Sequence, residues 1–195
     1  NDYDLERLDE ISNSFNHDLE IMIRFTPGIE CHTHEYIRTG SFDSKFGFGI
    51  EYLNILFNRI SNTKHLKLKG LHAHIGSQIF ELDPHKDLGE IMVNVILDAK
   101  KFGHEIKKLN VGGGLGIKYT ENDDPPSIEE WVKTISNSVV EACRKHNIDL
   151  PELMCEPGRS IVSTAGITIY KIGAFKEIPG VRTYISVDGG MSDNP

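Results

Sequence analysis

Four short apolar runs, Leu19 to Phe25, Leu66 to Ile75, Ile106 to Val111 and Leu150 to Cys155, recur at intervals of roughly 40 residues, the length of one strand plus one helix. Between them the apolar positions fall at steps of three and four, as on one face of a helix. Asp2 to Phe15 places Leu5, Leu8, Ile11 and Phe15 in such a stripe, and Leu88 to Phe102 and Ile128 to His146 repeat the pattern. Ser127 stands where an N-cap belongs, with Glu130 three residues on as a capping-box partner. Asp83 and Pro84 precede the other long helix in a similar way. Strands and helices that alternate with right-handed crossovers predict an α/β fold with a parallel sheet, either open and doubly wound or closed into a barrel. In both, ligands gather at the C-terminal edge of the strands.

The rhythm breaks after residue 160. Ile167 to Phe175 and Thr183 to Val187 read as strands, and Pro179-Gly180 supplies a turn between them with no room for a crossover helix. Two strands joined so tightly must be antiparallel. This predicts the start of a β-rich second domain, residues 163–195, after a first domain of residues 1–162. The sequence has no internal repeat beyond the strand-and-helix period and no low-complexity tract.

Composition narrows the partners. The formal net charge of -8 argues against nucleic acid or an anionic membrane surface as the main partner, since both need clustered Lys and Arg. Lys100-Lys101 and Lys107-Lys108 read as solvated ends of elements. Cys31, Cys143 and Cys155 are odd in number and lack metal or redox spacing, which fits a reducing compartment and makes the cytoplasm the expected location. No apolar run approaches the roughly 18 residues of a membrane helix. The chain opens without Met and its last element runs into Asn194-Pro195, so we read it as an internal piece of a larger protein.

The candidate chemistry lies at the strand ends. Gly112-Gly113-Gly114-Leu115-Gly116 follows Leu109-Asn110-Val111; consecutive glycines admit an anion to backbone N–H groups, or simply make a tight strand-to-helix turn. The spacing is neither that of a Walker loop nor that of a dinucleotide fingerprint. In Gly70 to Ser77, His72 and His74 point to one face of the strand, and Leu71, Ala73 and Ile75 to the other. Strand-end imidazoles can ligate a metal with Glu156 or Asp188, exchange protons, lie against an aromatic ring, or sit as satisfied structural histidines. His32-Thr33-His34 lies in a polar stretch and reads as a loop. Arg24, inside an apolar strand, calls for a partner that a ligand could supply. Glu156, after an apolar strand, is a costly charge unless paired. Arg159 could be that partner, or Glu156 could face a protonated ring nitrogen and leave the Arg159 fork for a carboxylate or phosphate. Pro157 and Gly158 shape the turn between them. The role of Asp188, in Asp188-Gly189-Gly190, is open.

Taken in order and spacing, Gly70-Leu-His-Ala-His-Ile-Gly-Ser-Gln78, Asn110-Val-Gly-Gly-Gly-Leu-Gly116, Glu156-Pro-Gly-Arg-Ser160 and Val187-Asp-Gly-Gly-Met191 resemble the fold-type III, alanine racemase-like pyridoxal phosphate decarboxylases. The segment Pro27-Gly28 through Asp43-Ser44-Lys45-Phe46-Gly47 fits the same family. The motif flavour is most similar to members that convert meso-2,6-diaminopimelate to L-lysine and carbon dioxide, the last step of lysine biosynthesis. Relatives acting on arginine, ornithine or carboxynorspermidine are the nearest alternative. A non-catalytic cofactor-binding homologue or a metal-dependent barrel hydrolase is an alternative of another class.

The resemblance implies a (β/α)8 barrel followed by a β domain, with this chain holding the C-terminal part of the barrel. It also implies pyridoxal 5'-phosphate as cofactor, an amino-acid substrate, no metal, and a homodimer with shared active sites. His74 would stack on the pyridine ring. Ser77 and Gly112, Gly113 and Gly114 would lie near the phosphate, Glu156 would hold the ring nitrogen protonated, and Pro157 and Gly158 would complete the cofactor-binding turn. Arg159 would bind the substrate carboxylate, although polyamine-forming relatives place the matching arginine at the phosphate. Racemases of this fold place an arginine at the ring nitrogen, so Glu156 points to decarboxylation. The family's cofactor lysine would precede residue 1, and its late Cys-Glu pair and tyrosine would follow residue 195, so this stretch alone is expected to be inactive.

Overall fold

A computed structural model describes residues 1–29 and 45–193. His32, His34, Cys31 and most of the predicted loop from Glu30 to Lys45 lie outside them. The chain folds as two compact units, Asn1–Ile161 and the residues from Val162 onward.

The first unit opens with α1 (Asp2–Phe15) and β1 (Leu19–Thr26), followed by the short β2 (Phe48–Gly49) and a 3-10 turn over Ile50–Tyr52. Then come α2 (Leu53–Ser61), β3 (Leu66–His72), α3 (Asp83–Lys101), β4 (Lys108–Asn110), α4 (Ile128–His146), β5 (Glu152–Met154) and α5 (Gly158–Val162). The strands form one parallel sheet in the order β2-β1-β3-β4-β5. Apart from the two-residue β2, which lies on the other side of β1, the strands β1, β3, β4 and β5 follow one another across the sheet in chain order, as in one arc of a singly wound sheet.

Local chemistry accounts for most boundaries. The Ser127 hydroxyl accepts the Glu130 N–H at 3.2 Å and the Glu130 carboxylate accepts the Ser127 N–H at 2.9 Å, closing the expected capping box on α4. The start of α3 differs from expectation: Asp83 and Pro84 are already helical, and Leu82 sits at the N-cap without a side-chain bond. Proline is tolerated in the first turn because its absent N–H would have no helical partner there. Helix α2 was not expected, although Leu53, Leu56, Phe57 and Ile60 carry a helical period and are all buried.

One irregularity in β3 sets the direction of its side chains. Ile21 pairs with Leu68 and Met22 with Gly70, so Lys69 is an extra residue with no partner in β1. Before this bulge Leu66 and Leu68 face the helices; after it the buried residues are Leu71, Ala73 and Ile75. Side chains alternate along a strand, so one inserted residue exchanges the faces. His72 and His74 therefore point away from the helix-packed core.

That core joins Leu71 and Leu109 of the sheet to Leu56, Leu88, Met92, Trp131 and Ile135 of the helices. α1 contributes less than its stripe predicts, since Leu5 is buried while Phe15 is 75% exposed. His85, fully buried in α3, meets the Trp131 ring edge-on at 5.7 Å, and neither of its ring nitrogens has a hydrogen-bond partner among the described residues.

In the second unit β6 (Ile172–Ile178) and β7 (Arg182–Val187) form an antiparallel hairpin around Gly180, whose φ of 72° suits glycine. The first strand begins later than the predicted Ile167. The Asp188 carboxylate accepts the Lys171 N–H at 2.8 Å, which gives this residue a structural part in the hairpin.

Burial, with a smaller push from His74, lowers the His85 pKa to about 4. The folded chain therefore refuses a proton that the unfolded chain takes up below about 6.5. The stabilisation is complete above that value and is lost as the pH falls toward 4, by about 3 kcal/mol at 1.4 kcal/mol per pKa unit. In the full-length protein His85→Phe should remove this component, so urea unfolding at pH 7 and pH 4 should show a smaller acid loss in the variant than in the parent.

Candidate functional site

The sheet register builds the site row by row. Arg24 of β1, His72 of β3, Asn110 of β4 and Met154 of β5 are successive partners across the sheet. Two residues further along, and so on the same face, come His74, Gly112 and Glu156. The pairing continues past the strand ends, because the Glu156 N–H donates to the Gly112 carbonyl at 2.7 Å.

Side chains knit this row together. The Asn110 carboxamide donates to Glu156 Oε1 at 2.8 Å and accepts the Gly112 N–H at 2.9 Å. The Gly113 N–H donates to His74 Nδ1 at 3.2 Å, so that nitrogen is an acceptor. His72 Nε2 lies 3.8 Å from Glu156 Oε1, buried and without a hydrogen bond among the described residues. Burial pushes the His72 pKa down, Glu156 opposes the shift and Arg24 adds to it. Burial also lowers His74, aided by Arg24 and His72. Arg24, with its guanidinium 4.8 Å over the Phe46 ring, is itself lowered by burial and held up by Glu156. Arg24 thus packs against an aromatic ring and feels the charge of Glu156, with no ion pair to it among the described residues.

A cavity of about 330 Å³ opens beside this row. His74, Ser77, Gly114, Glu156, Pro157, Gly158 and Arg159 of the expected set line it, joined by Leu115 and Ser160. Gly112 and Gly113 do not, and here the expectation of three glycines presenting N–H groups to an anion needs correction. Both amides are already engaged within the chain, and both glycines are buried. A Cβ on Gly112 would come within 2.8 Å of the Ala73 carbonyl oxygen, and one on Gly113 would overlap the Glu156 carbonyl. These two glycines let neighbouring strand ends approach one another. Gly114, at φ 103°, is the member of the run that borders the cavity.

Glu156 and Arg159 are not partners of each other. The Arg159 guanidinium donates to Gln78 Oε1 at 3.0 Å and lies 5.6 Å over the Tyr119 ring. Nor is Glu156 a deeply buried charge, since its side chain is 52% exposed. β5, the edge strand of the described sheet, is exposed throughout, so an apolar approach to Glu156 does not bury it. Among the described residues no group of three or more His, Cys, Asp and Glu could hold a metal ion.

Two residues carry work that the sequence pattern does not announce. Asn110 reads in sequence as one more strand residue before the glycines. Gln78 takes a left-handed φ of 57°, and its carboxamide accepts the Ile117 N–H at 3.1 Å and donates to the Ile117 carbonyl at 2.7 Å while also holding Arg159. Only the polar character of each, at a strand end, hints at such work.

Residues 1–163 match the family described as pyridoxal-dependent decarboxylase, pyridoxal binding domain. The chain belongs to this family. It is 55% identical over 192 residues to a diaminopimelate decarboxylase of Synechocystis sp., covering 98% of this chain and 41% of that protein. It is 41% identical over 197 residues to that of Bacillus subtilis, covering 100% and 45%. Among solved structures, diaminopimelate decarboxylase from Helicobacter pylori complexed with L-lysine superposes with a TM-score of 0.80 at 29% identity, covering 98% of this chain and 46% of that one. The chain thus spans less than half the length of these relatives.

Within this pyridoxal-binding domain the close packing of the glycine run can be tested directly. Gly113→Ala in the full-length protein should lower stability by an overpacking cost of about 1–3 kcal/mol in denaturant unfolding. Gly158→Ala, where a Cβ would meet nothing within 4 Å, should cost far less.

Proposed function

We propose that the full-length protein is a pyridoxal 5'-phosphate-dependent carboxy-lyase that converts meso-2,6-diaminopimelate to L-lysine and carbon dioxide. The observation that carries this reading is one cavity lined by His74, Ser77, Glu156 and Arg159, in a chain 55% identical to a diaminopimelate decarboxylase. Bound pyridoxal phosphate supplies an electron sink for the negative charge left on the substrate's α-carbon when carbon dioxide departs.

The lining suits such a cofactor. The Ser160 hydroxyl is buried without a hydrogen-bond partner among the described residues, and Arg159 has a neutral hydrogen-bond partner and an aromatic neighbour. These are groups able to receive phosphate or carboxylate oxygens. Glu156, anchored through Oε1, can turn its other oxygen to a protonated ring nitrogen and hold the ring cationic. His74 offers a flat imidazole to lie against the ring and fix its plane, so that the bond to be broken stands perpendicular to it. Gly114, Ser77, Pro157 and Gly158 complete the pocket.

Two anions compete for Arg159. The family resemblance assigns it the substrate carboxylate. Its bond to Gln78, the neighbour of Ser77, favours the phosphate, the position the matching arginine takes in polyamine-forming relatives. The same overall reading carries a closed barrel, a homodimer with shared active sites and a cytoplasmic location. No helix among the described residues is long and apolar enough to cross a membrane.

Carbon dioxide release by the full-length protein, measured with meso-diaminopimelate, arginine, ornithine and carboxynorspermidine, should be fastest with the first by a wide margin. A preference for another substrate overturns the specificity. Glu156→Ala should lower turnover by roughly 10² or more, as expected for a lost electrostatic contact to the reacting system, while the absorption of bound cofactor persists. Unchanged turnover would remove Glu156 from its assigned role.

A further inference from the structure

We propose that Asn110 is the positioning residue for Glu156, fixing which carboxylate oxygen the protein occupies and which one it offers to the cavity. The inference rests on the reading above, in which Glu156 faces the cofactor's ring nitrogen. It begins with a closed cycle of hydrogen bonds. The Gly112 N–H donates to Asn110 Oδ1 at 2.9 Å, Asn110 Nδ2 donates to Glu156 Oε1 at 2.8 Å, and the Glu156 N–H donates to the Gly112 carbonyl at 2.7 Å. A backbone N–H can only donate, so the atom facing Gly112 must be the carboxamide oxygen. The amide group is planar, and its NH2 is thereby aimed at Glu156. The side-chain orientation follows from the backbone rather than from a choice between two equivalent flips.

The anchor matters because its target is loose. Asn110 is only 8% exposed, whereas the Glu156 side chain is half-exposed and its Oε2 has no partner among the described residues. Arg24 from β1, His72 at the end of β3 and His74 just past it all act electrostatically on this region, and His72 comes within 3.8 Å of Oε1. Without a fixed donor, the carboxylate could swing toward Arg24 or into solvent. With Oε1 held, rotation is restricted and Oε2 is left as the oxygen with a free path to a ligand. Aspartate at position 110 would still accept the Gly112 N–H, but it would turn an acceptor toward Glu156 in place of a donor.

The isosteric variant therefore separates the two halves of the residue. In the full-length enzyme, Asn110→Asp should keep a melting temperature close to that of the parent and lower kcat tenfold or more with a smaller change in KM. It should also alter the absorption of bound cofactor, and a crystal structure of the variant should show the Glu156 carboxylate rotated from its place. In a Glu156→Gln background the same substitution should have little further effect on kcat, because the group it positions is already gone. Wild-type kcat and an unmoved Glu156 in Asn110→Asp overturn the proposal, as does an undiminished loss in the Glu156→Gln background. If Asn110→Asp does not fold, Asn110→Ala is compared across the same two backgrounds with the same expectations. Failure of the underlying reading looks different: Glu156→Gln then retains turnover, while the crystal structure of the position-110 variant still reports whether Glu156 has moved.

Discussion

The extra residue Lys69 in β3 decides which way the chain's chemistry faces. A parallel strand without the bulge would carry Leu66, Leu68, Gly70, His72 and His74 along one side, and the imidazoles would be driven into the helix-packed core. The core cannot take them without desolvating polar rings, and the opposite side would lose Leu71, Ala73 and Ile75, all nearly inaccessible to water. The inserted residue satisfies both demands: apolar side chains on the helix side at the start of the strand and again at its end. The row of Arg24, His72 and Asn110 then aligns across three strands in register.

The glycine run works on the same scale. The segments after β3 and β5 converge on it, and their carbonyls at Ala73, Gly76 and Glu156 take the space a methyl group would need. The compactness of that junction allows the loops after β3, β4 and β5 to border a single cavity. Phosphate recognition, in this reading, falls to Gly114, Ser77 and the Arg159 and Ser160 turn, with the first two glycines serving as close-packing points.

Much of this is legible from residue pattern. The capping box at Ser127 and Glu130, the full extents of α1 and α4, the parallel sheet and the antiparallel hairpin all follow from short-range rules, and so does the facing of His72 and His74. The strand order is not legible, because alternation of elements fits either winding and only strand neighbours in space decide. The bulge is hidden because Lys69 carries no local mark: the run Leu66 to Ile75 is apolar enough to conceal a change of parity. Asn110 and Gln78 stay hidden for a related reason. Each acts through partners dozens of residues away, Glu156 in one case and Ile117 with Arg159 in the other. A salt bridge between Glu156 and Arg159, one of the pairings the sequence allows, does not form because nearness in sequence does not bring side chains together across a turn.

The bond from the Gly113 amide to His74 Nδ1 carries a consequence for the ring that would rest on it. An imidazole that accepts at Nδ1 holds its single proton at Nε2 and is uncharged, and its surroundings favour that state. Such a ring can lie flat against a positively charged heterocycle without mutual repulsion. The tight glycine bend thereby selects the tautomer of His74, so that in the proposed reading a backbone group outside the cavity lining would set the charge of the surface offered to the cofactor.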